Sequence, residues 1–257
     1  MKNAIRGILS RPSTQPLLLK LLKLCHAGLN YGGGQTVAES GEIGALTFVS
    51  KTLASAAPFT LLDVGANDGD YLQAALRVLG DRLRAYSFEP QSLCFLRLQA
   101  RFGSDPRIAL KQAAVGSDAG VLELFCESEG ETTASLHRDS ISGSARSEKV
   151  QVTTIDRMAK EEGLEQIDFL KIDTEGYEMD VLLGASSMIE SGRISAIQFE
   201  FGDTFLHTRY HFADLWELLS PRYTIYRILR HGLSEVPRYS PDLEIYKISN
   251  FLCVRKS

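Results

Sequence analysis

Short apolar runs and amphipathic segments alternate along the chain from residue 60 onward. Residues 60–64 are mostly apolar and partly β-branched, a composition typical of a strand that is buried on both faces. Residues 70–79 place leucine and alanine at helical spacing instead. The glycine-containing segment 65–69 is therefore predicted to lead from a buried strand into a helix, with a backbone that a ligand can approach closely.

The same alternation predicts the remaining elements and an α/β fold class. Further strands are predicted at 83–88, 108–115, 121–126, 149–154, 167–173 and 194–201, and helices at 91–102, 156–163, 177–190 and 211–219. Two final apolar runs, 223–229 and 251–254, are typical of strands at an antiparallel edge. Such alternation indicates three layers, a mostly parallel sheet with helices on both faces.

Residues 1–58 precede this pattern and are predicted to form a helical N-terminal extension of a domain that spans 59–257. Its first helix has a leucine face, and a second helix, predicted at 41–53, has Glu42 near its start. The extension holds five basic residues and no acidic residue before Glu39. Two roles fit a basic helix of this kind: contact with an anionic membrane surface, or packing of the leucines on the rest of the chain, which is the commoner case.

Composition narrows the class of protein. The chain has 257 residues, of which 44% are hydrophobic, and its net charge of −4 gives no global reason to expect nucleic-acid binding. The four cysteines form no C-x-x-C pair, and no run approaches ~18 apolar residues. We therefore expect a cytoplasmic protein without a bound metal and without a nucleic-acid partner.

The turn at 65–69 departs from the dinucleotide fingerprint G-x-G-x-x-G. Asn67 and Asp70 stand where that pattern needs its second and third glycines, so a pyrophosphate is a poor ligand for this turn. Together with Asp63 they surround the turn with acid and amide groups, which suit a cationic amino-acid group. Glu89 follows the next strand and is placed to accept hydrogen bonds from both hydroxyls of a ribose.

A second group of acidic residues follows the strand predicted at 167–173. Asp173 ends this strand, and Glu175 and Glu178 come shortly after it. Ligands bind outside the carboxyl ends of parallel strands, so Asp173 is expected to face the reactive end of a ligand held at the first turn. A structural alternative stays open, in which Lys171 pairs with a neighbouring acid and Glu175 caps the next helix.

Other polar residues are weaker candidates for a site. Glu200 ends its own predicted strand. His207 and His211 are spaced i, i+4, which fits a metal ion on one helical face or a general base, but they lack the H-E-x-x-H pattern. The polar segment 127–148, which contains Ser135, is typical of a binding loop, a lid or a disordered segment.

Four stretches carry a resemblance to a known family: DVGANDG at 63–69, FEP at 88–90, VTTID at 152–156 and FLKIDTEGYE at 169–178. Over residues 60–202 the chain resembles the FkbM family of S-adenosylmethionine-dependent methyltransferases. The resemblance implies a Rossmann-like methyltransferase fold, with a mostly parallel seven-stranded sheet and an antiparallel edge strand. It also implies a hydroxyl acceptor on a sugar, a glycan or a secondary metabolite.

The resemblance assigns roles to the candidate residues. S-adenosyl-L-methionine is the implied cofactor. The residues implied to bind it are Asp63, Gly65, Ala66, Asn67, Gly69, Glu89, Pro90 and Ala114. Asp173 and Glu175 are the implied catalytic residues, because carboxylates take up the acceptor's proton and complement a positive sulfur.

Two other functions stay open at this point. A nicotinamide-dependent oxidoreductase would use a related sheet, although the missing glycines argue against it. A nucleoside-binding scaffold without catalysis would keep Asp63 and Glu89 but tolerate the loss of Asp173. The sequence does not define the oligomeric state.

Overall fold

The computed structural model describes residues 7, 9–32, 36–53, 58–126, 134–135 and 146–256. Its helices are α1 Gln15–Gly28, α2 Val37–Ser40, α3 Glu42–Thr52, α4 Asp70–Leu79, α5 Ser92–Phe102, α6 Ile155–Glu161, α7 Glu178–Leu183, α8 Ser186–Glu190 and α9 Phe212–Leu219. Its strands are β1 Phe59–Val64, β2 Leu83–Phe88, β3 Ile108–Lys111, β4 Ala114–Val115, β5 Gly120–Cys126, β6 Ala134–Ser135, β7 Arg146–Thr153, β8 Ile167–Ile172, β9 Ile194–Phe201, β10 Tyr223–Leu229, β11 Gly232–Glu235 and β12 Ser249–Arg255. Short 3-10 helices lie at Pro12–Thr14, Gly80–Arg82, Asp203–His207 and Pro241–Leu243.

Within these residues, eight strands form the main sheet in the order β11-β10-β12-β9-β8-β1-β2-β3. The five strands from β9 to β3 in this order are parallel, which confirms the predicted α/β class with a mostly parallel sheet. The antiparallel strand β12 lies inside the sheet, between β9 and β10, rather than at its edge. The sheet has one strand more than the predicted seven, because a turn at 230–231 folds β11 back onto β10. β11 is short and mostly exposed, so no apolar pattern marks it.

A second, smaller sheet interrupts the predicted alternation, with the order β4-β7-β5-β6 in the described residues. The strand predicted at 108–115 is two strands, β3 in the main sheet and β4 in the second one. The apolar runs at 121–126 and 149–154 pair with each other in antiparallel fashion and stay out of the main sheet. Their buried apolar residues, Leu124, Val150 and Val152, form a small cluster with Ala114 of β4. These strands therefore bury one face only.

Two further segments differ from or fall outside their predictions. The helix predicted at 177–190 is two helices, since α7 ends at Leu183, with Gly184 as its C-cap, and α8 begins at Ser186. The segment 127–148 lies mostly outside the described residues, and its binding role stays a prediction.

Two apolar clusters bury the main sheet, and β1 contributes to both. Leu62 and Val64 belong to one cluster, and Phe59 and Leu61 belong to the other. Because side chains alternate along a strand, β1 lies between two layers of helices, as its continuous apolar sequence predicts.

The N-terminal extension has a packed part and an exposed part. α3 packs on the main sheet through Ala45, Leu46 and Val49, which are buried in the same cluster as Leu61. α1 has no buried residue, and most of its leucines are exposed, so the expected packing of its leucine face on the rest of the chain is wrong. The domain boundary at residue 58 stays a prediction. In the part of the chain that the structure describes, no helix is both long and apolar enough to cross a membrane.

Candidate active site

The carboxyl ends of β1, β2 and β8 enclose a cleft of about 350 Å³. β1 and β8 are direct neighbours in the sheet, with Val64 in register with Ile172, so the segments that follow the two strands meet as expected. Asp63 and Gly69 do not line this cleft. The predicted site residues that do line it are Gly65, Ala66, Asn67, Glu89, Pro90, Ala114, Asp173 and Glu175.

Gly65 connects the two turns at the cleft. Its φ of 81° lies in the left-handed region, and a Cβ at this position would be 1.8 Å from the carbonyl oxygen of Asp173. Glycine is therefore required here both for its conformation and for the close approach of the two backbones. The N–H groups of Gly65 and Ala66 donate to the carbonyl of Phe88 at 3.0 and 2.9 Å. These contacts fix the turn to β2 on one side and to the segment after β8 on the other.

Glu89 is the buried acid of the first turn. One carboxylate oxygen accepts a hydrogen bond from the N–H of Asn67 and the other from the N–H of Gln91, both at 2.8 Å. Burial raises the pKa of Glu89 to about 7, although the two N–H groups oppose this shift. Each carboxylate oxygen keeps a second lone pair, so the side chain can also accept a hydrogen bond from a ligand hydroxyl in the cleft.

The other residues of the first turn have different surroundings. Asn67 has a left-handed φ of 48°, and its side-chain oxygen accepts a hydrogen bond from the following N–H at 2.7 Å. Asp70 lines the cleft and pairs with Arg101 at 3.0 Å. Gly69 faces away from the cleft, since a Cβ there would be 2.4 Å from the ring of Phe102. The structure therefore places Gly69 where α4 packs on α5.

Buried polar side chains form a row across the main sheet beside the cleft. Asp63 on β1 is in register with Ser87 on β2 and Lys171 on β8, and Lys171 is in register with Gln198 on β9. All four are buried, and burial raises the pKa of Asp63 although the Lys171 charge opposes this. Oδ1 of Asp63 lies 3.6 Å from the Lys171 ammonium, and neither of its oxygens has a hydrogen-bond partner among the described residues. Such a carboxylate can accept from a bound water or ammonium group.

Lys171 connects this row to the cleft. Its ammonium lies 3.2 Å from Oδ2 of Asp173 and 5.0 Å from the ring centroid of Tyr71. Burial acts to lower the pKa of Lys171, but the charges of Asp173, Asp63 and Glu42 outweigh it and raise the pKa above its usual range. The ion pair of the structural alternative is therefore present. Asp173 nevertheless belongs to the site, because it lines the cleft as well.

Glu178 organises the second turn, and this role was missed in the sequence. Its buried carboxylate accepts hydrogen bonds from the N–H of Thr174 at 2.8 Å and from the N–H of Gly176 at 3.0 Å. Glu175 lies between these residues with a left-handed φ of 55° and lines the cleft. Burial raises the pKa of Glu175 and of Glu178 to about 7. Glu178 therefore holds the turn that presents Glu175 to the cleft.

Two residues of the N-terminal extension reach the site region. Val37 lines the cleft. Glu42 is buried, and its carboxylate accepts hydrogen bonds from the amide of Gln198 and the hydroxyl of Ser40, both at 2.6 Å. In the sequence, Glu42 is visible only as an acidic residue near a helix start. Its partner Gln198 lies so far along the chain that no local pattern connects the two.

Glu200, His207 and His211 lie outside the cleft lining. Burial raises the pKa of Glu200, and the charge of Asp173 adds to this effect. The backbone N–H of His211 donates to the carboxylate of Asp214 at 2.7 Å, which caps the start of α9. Among the residues with described positions, no group of His, Cys, Asp and Glu side chains is arranged to hold a metal ion.

Comparison with known proteins identifies the family. The family model described as Methyltransferase FkbM domain matches residues 63–228, a region that contains both turns of the cleft. The chain belongs to the FkbM methyltransferase family. The family resemblance carried by the four sequence stretches is therefore confirmed.

The proteins that this chain resembles differ in how much of their length it matches. The chain is 27% identical over 173 residues to the 2-O-methyltransferase NoeI of Sinorhizobium fredii (strain NBRC 101917 / NGR234), a match that covers 61% of this chain and 65% of NoeI, just under two thirds. The crystal structure of methyltransferase FkbM from Methylobacillus flagellatus KT matches with 18% identity and a TM-score of 0.49, covering 80% of this chain and 47% of that one. The N-methyltransferase NodS from Bradyrhizobium japonicum WM9 matches with 10% identity and a TM-score of 0.44, covering 87% and 99%.

Proposed function

We propose that this FkbM family protein transfers a methyl group from S-adenosylmethionine to a hydroxyl oxygen. The observation that carries the proposal is that one cleft brings together the Gly65 turn, the buried acid Glu89 and the carboxylate of Asp173. These groups suit nucleoside binding on one wall and proton removal on the other. The name of NoeI, a 2-O-methyltransferase, supports oxygen as the acceptor atom.

The charge of the cleft fits a cationic donor. Among the described lining residues only Lys171 is basic, and it pairs with Asp173. A dinucleotide would bring a pyrophosphate against an excess of carboxylates, which disfavours a nicotinamide-dependent oxidoreductase. The acidic lining residues are Asp68, Asp70, Glu89, Asp173 and Glu175.

The first turn would hold the donor. Glu89 would accept hydrogen bonds from the ribose hydroxyls, with Pro90 and Ala114 beside it in the cleft lining. The backbone from Gly65 to Asn67 would contact the amino-acid end of S-adenosylmethionine. Asp63 would act on that end only through its neighbours, because it does not line the cleft. When bound, the donor supplies an electrophilic methyl group on a positively charged sulfur.

Asp173 would act on the acceptor. In-line displacement requires the acceptor oxygen about 3 Å from the methyl carbon, and a carboxylate fixed at the end of β8 can hold that oxygen. As the oxygen–carbon bond forms, the carbon–sulfur electron pair stays on sulfur and the hydroxyl proton passes to Asp173. Lys171 keeps the carboxylate in place through the ion pair at 3.2 Å. Glu175, on the same wall, would complement the positive charge of the donor.

The acceptor we propose is a hydroxyl of a sugar, a glycan or another secondary metabolite. The resemblance to the FkbM family implies this class, and the name of NoeI, a 2-O-methyltransferase, supports an oxygen acceptor. Thr174 and Tyr177 line the Asp173 side of the cleft and offer a hydroxyl group and an aromatic ring to such a molecule.

Calorimetric titration with S-adenosylhomocysteine, beside NADH, tests the donor. We expect S-adenosylhomocysteine to bind and NADH not to bind. Binding of NADH alone would contradict the proposal and favour an oxidoreductase. If S-adenosylhomocysteine binds but no sugar or small alcohol in a panel of acceptors is methylated, the non-catalytic scaffold is the better description.

We also propose that α1 contacts an anionic membrane surface. Leu17 and Leu24 on this helix are 61% and 69% exposed, and its charged residues are basic. The chain just after this helix is anchored, because the buried side-chain amide of Asn30 donates to the carbonyls of Ser40 and Ile228 at 2.9 and 3.0 Å. The exposed leucines of α1 are therefore attached to a packed part of the chain.

Sedimentation with phosphatidylcholine vesicles, with and without phosphatidylglycerol, tests this contact. We expect salt-sensitive binding to the anionic vesicles, since each lysine near such a surface contributes ~1 kcal/mol. Leu21→Glu should weaken the binding, whereas the matched control Leu96→Glu, at a residue 59% exposed on α5, should not. Equal sedimentation of the parent and Leu21→Glu would exclude the membrane contact.

A further inference from the structure

The donor and the product of a methyl transfer differ in charge. S-adenosylmethionine carries a positive sulfur, and S-adenosylhomocysteine is neutral at that atom because the carbon–sulfur electron pair remains there. Apart from the methyl group, the two molecules present the same contacts to a protein. A cleft therefore distinguishes them most effectively with a charged group near the sulfur.

Glu175 has a backbone conformation that its own side chain does not favour. Its φ of 55° lies in the left-handed region, which glycine and asparagine adopt more readily than glutamate. The turn around it is held by Glu178, through the N–H groups of Thr174 and Gly176. For the backbone conformation alone, glycine or asparagine would suit position 175 better than glutamate. A strained residue that faces a cleft points to a functional role for its side chain.

The surroundings of Glu175 are also unfavourable for a carboxylate. Burial is the largest cause that raises its pKa to about 7, and the acidic neighbours add to the shift. Like charges at short range disfavour ionisation, and a cation bound in the cleft would offset this. Among the described residues, the charges of Asp173, Glu178 and Asp203 raise the pKa of Glu175 and the charge of Lys171 lowers it, while Glu175 in turn raises the pKa of Glu200.

We propose that Glu175 selects the cationic methyl donor over its neutral product, an inference that rests on the function proposed above. Ionised Glu175 attracts the positive sulfur, and the loss of this attraction after transfer favours product release. Because Glu175 ionises as the pH rises through about 7, the preference for the donor increases over the same range. Glu89 titrates in this range too, but it faces the ribose, which both molecules share. Its hydrogen bonds to the ribose therefore cancel in the ratio of the two affinities, and in the proposed placement its charge acts on the sulfur less strongly than that of Glu175.

Calorimetric titration of the full chain with each molecule, from about pH 6 to about pH 8, tests the selection. The ratio of the Kd for S-adenosylhomocysteine to the Kd for S-adenosylmethionine should rise about tenfold over this range in the parent. Glu175→Gln keeps the shape but not the charge, so its ratio should stay at the low-pH value. Glu175→Gly also relieves the left-handed strain, so it should fold at least as well and show the same flat ratio. The control Glu190→Gln, at an exposed residue that ends α8, should follow the parent.

The outcomes separate this inference from the function it rests on. If neither molecule binds, the proposed function fails and the selection fails with it. If both bind and the ratio does not change with pH, the proposed function stands and the selection is overturned. If the ratio in Glu175→Gln depends on pH as it does in the parent, another group distinguishes the charged sulfur from the neutral one, and the selection by Glu175 is overturned. Sinefungin, which carries an amine in place of the sulfonium, should follow S-adenosylmethionine in the parent and lose its preference in both variants.

Discussion

The two turns of the cleft are each organised by one buried glutamate, Glu89 in the first turn and Glu178 in the second. Each follows the end of a parallel strand and accepts hydrogen bonds from two backbone N–H groups. Burial raises the pKa of both to about 7. Glu89 lines the cleft, however, and Glu178 does not. In our proposal, the same arrangement supports a ligand contact in the first turn and only the loop in the second.

This difference separates two kinds of residue that a sequence presents alike. Changes at Glu89 should alter ligand affinity, whereas changes at Glu178 should alter the wall that carries Asp173 and Glu175. The two walls are not independent, because Gly65 of the first turn packs directly on the carbonyl of Asp173. Substitutions in the two turns are therefore expected to couple rather than add.

The largest effect is expected at Asp173, on the wall that Glu178 supports. Asp173→Asn keeps the shape of the side chain but cannot take up a proton, so turnover should fall by about 10²–10⁴. Affinity for S-adenosylhomocysteine should change little, because the first turn is intact. Steady-state rates with a hydroxyl acceptor, beside calorimetry, measure both quantities. A parental rate in a folded Asp173→Asn variant would remove Asp173 from the mechanism.

A comparison of Glu89→Ala with Glu178→Ala should give the next largest effects and tests the contrast directly. Loss of a charged acceptor is worth ~1.5–3 kcal/mol, so Glu89→Ala should lower the affinity for S-adenosylhomocysteine at least about tenfold. Glu178→Ala leaves two N–H groups of the loop without their acceptor, which should reduce the free energy of unfolding by about 1–3 kcal/mol. Its affinity for the neutral product should be much less affected.

Calorimetry and urea unfolding on both variants supply the measurements, with Glu190→Gln as a control for handling and charge. A folded Glu89→Ala protein that binds S-adenosylhomocysteine as tightly as the parent would show that Glu89 does not contact the ribose. An unchanged unfolding free energy in Glu178→Ala would show that other contacts hold the second turn.

The parts of the site that follow a buried strand could be predicted from the sequence. β1, β2 and β8 are continuous apolar runs, and neighbouring parallel strands bring their carboxyl ends to one edge. Glu89 and Asp173 were therefore placed correctly at the cleft. The pattern located the glycines of the first turn but not the direction each one faces. The structure shows that Gly69 packs on α5, whereas Gly65 lies at the cleft.

The parts that depend on remote contacts could not be predicted. Asp63 reads as a ligand group in the sequence, but it lies in a buried row whose members come from different strands. Glu42 reads as a helix-start residue, although Gln198 makes it part of the packed interior. The second sheet was read as part of the main one, because a strand buried on one face and a strand buried on two faces are hard to separate in short apolar runs. The leucines of α1 pattern as a face that packs, but the helix has no buried residue. An amphipathic pattern shows that a helix has an apolar face and does not show what contacts that face.

The smallest expected effect is a pH dependence of stability that Glu89 and Glu178 share. An unfolded glutamate has a pKa of about 4.3, so between about pH 5 and about pH 7 the folded protein holds protons that the unfolded chain has released. The free energy of unfolding should therefore fall as the pH rises through this window, by about 1 kcal/mol per pH unit for each group. Glu178→Gln cannot ionise and resembles the protonated side chain, so it should remove the contribution of Glu178 to this pH dependence while the contribution of Glu89 remains.

Urea unfolding at a series of pH values measures the change in the free energy of unfolding with pH. Saturating S-adenosylhomocysteine, which contacts only Glu89 in our proposal, should alter this slope equally in the parent and in Glu178→Gln. Identical slopes for the parent and Glu178→Gln would mean that Glu178 is already ionised in the folded protein, and the likeness between the two glutamates would then be limited to their hydrogen bonds.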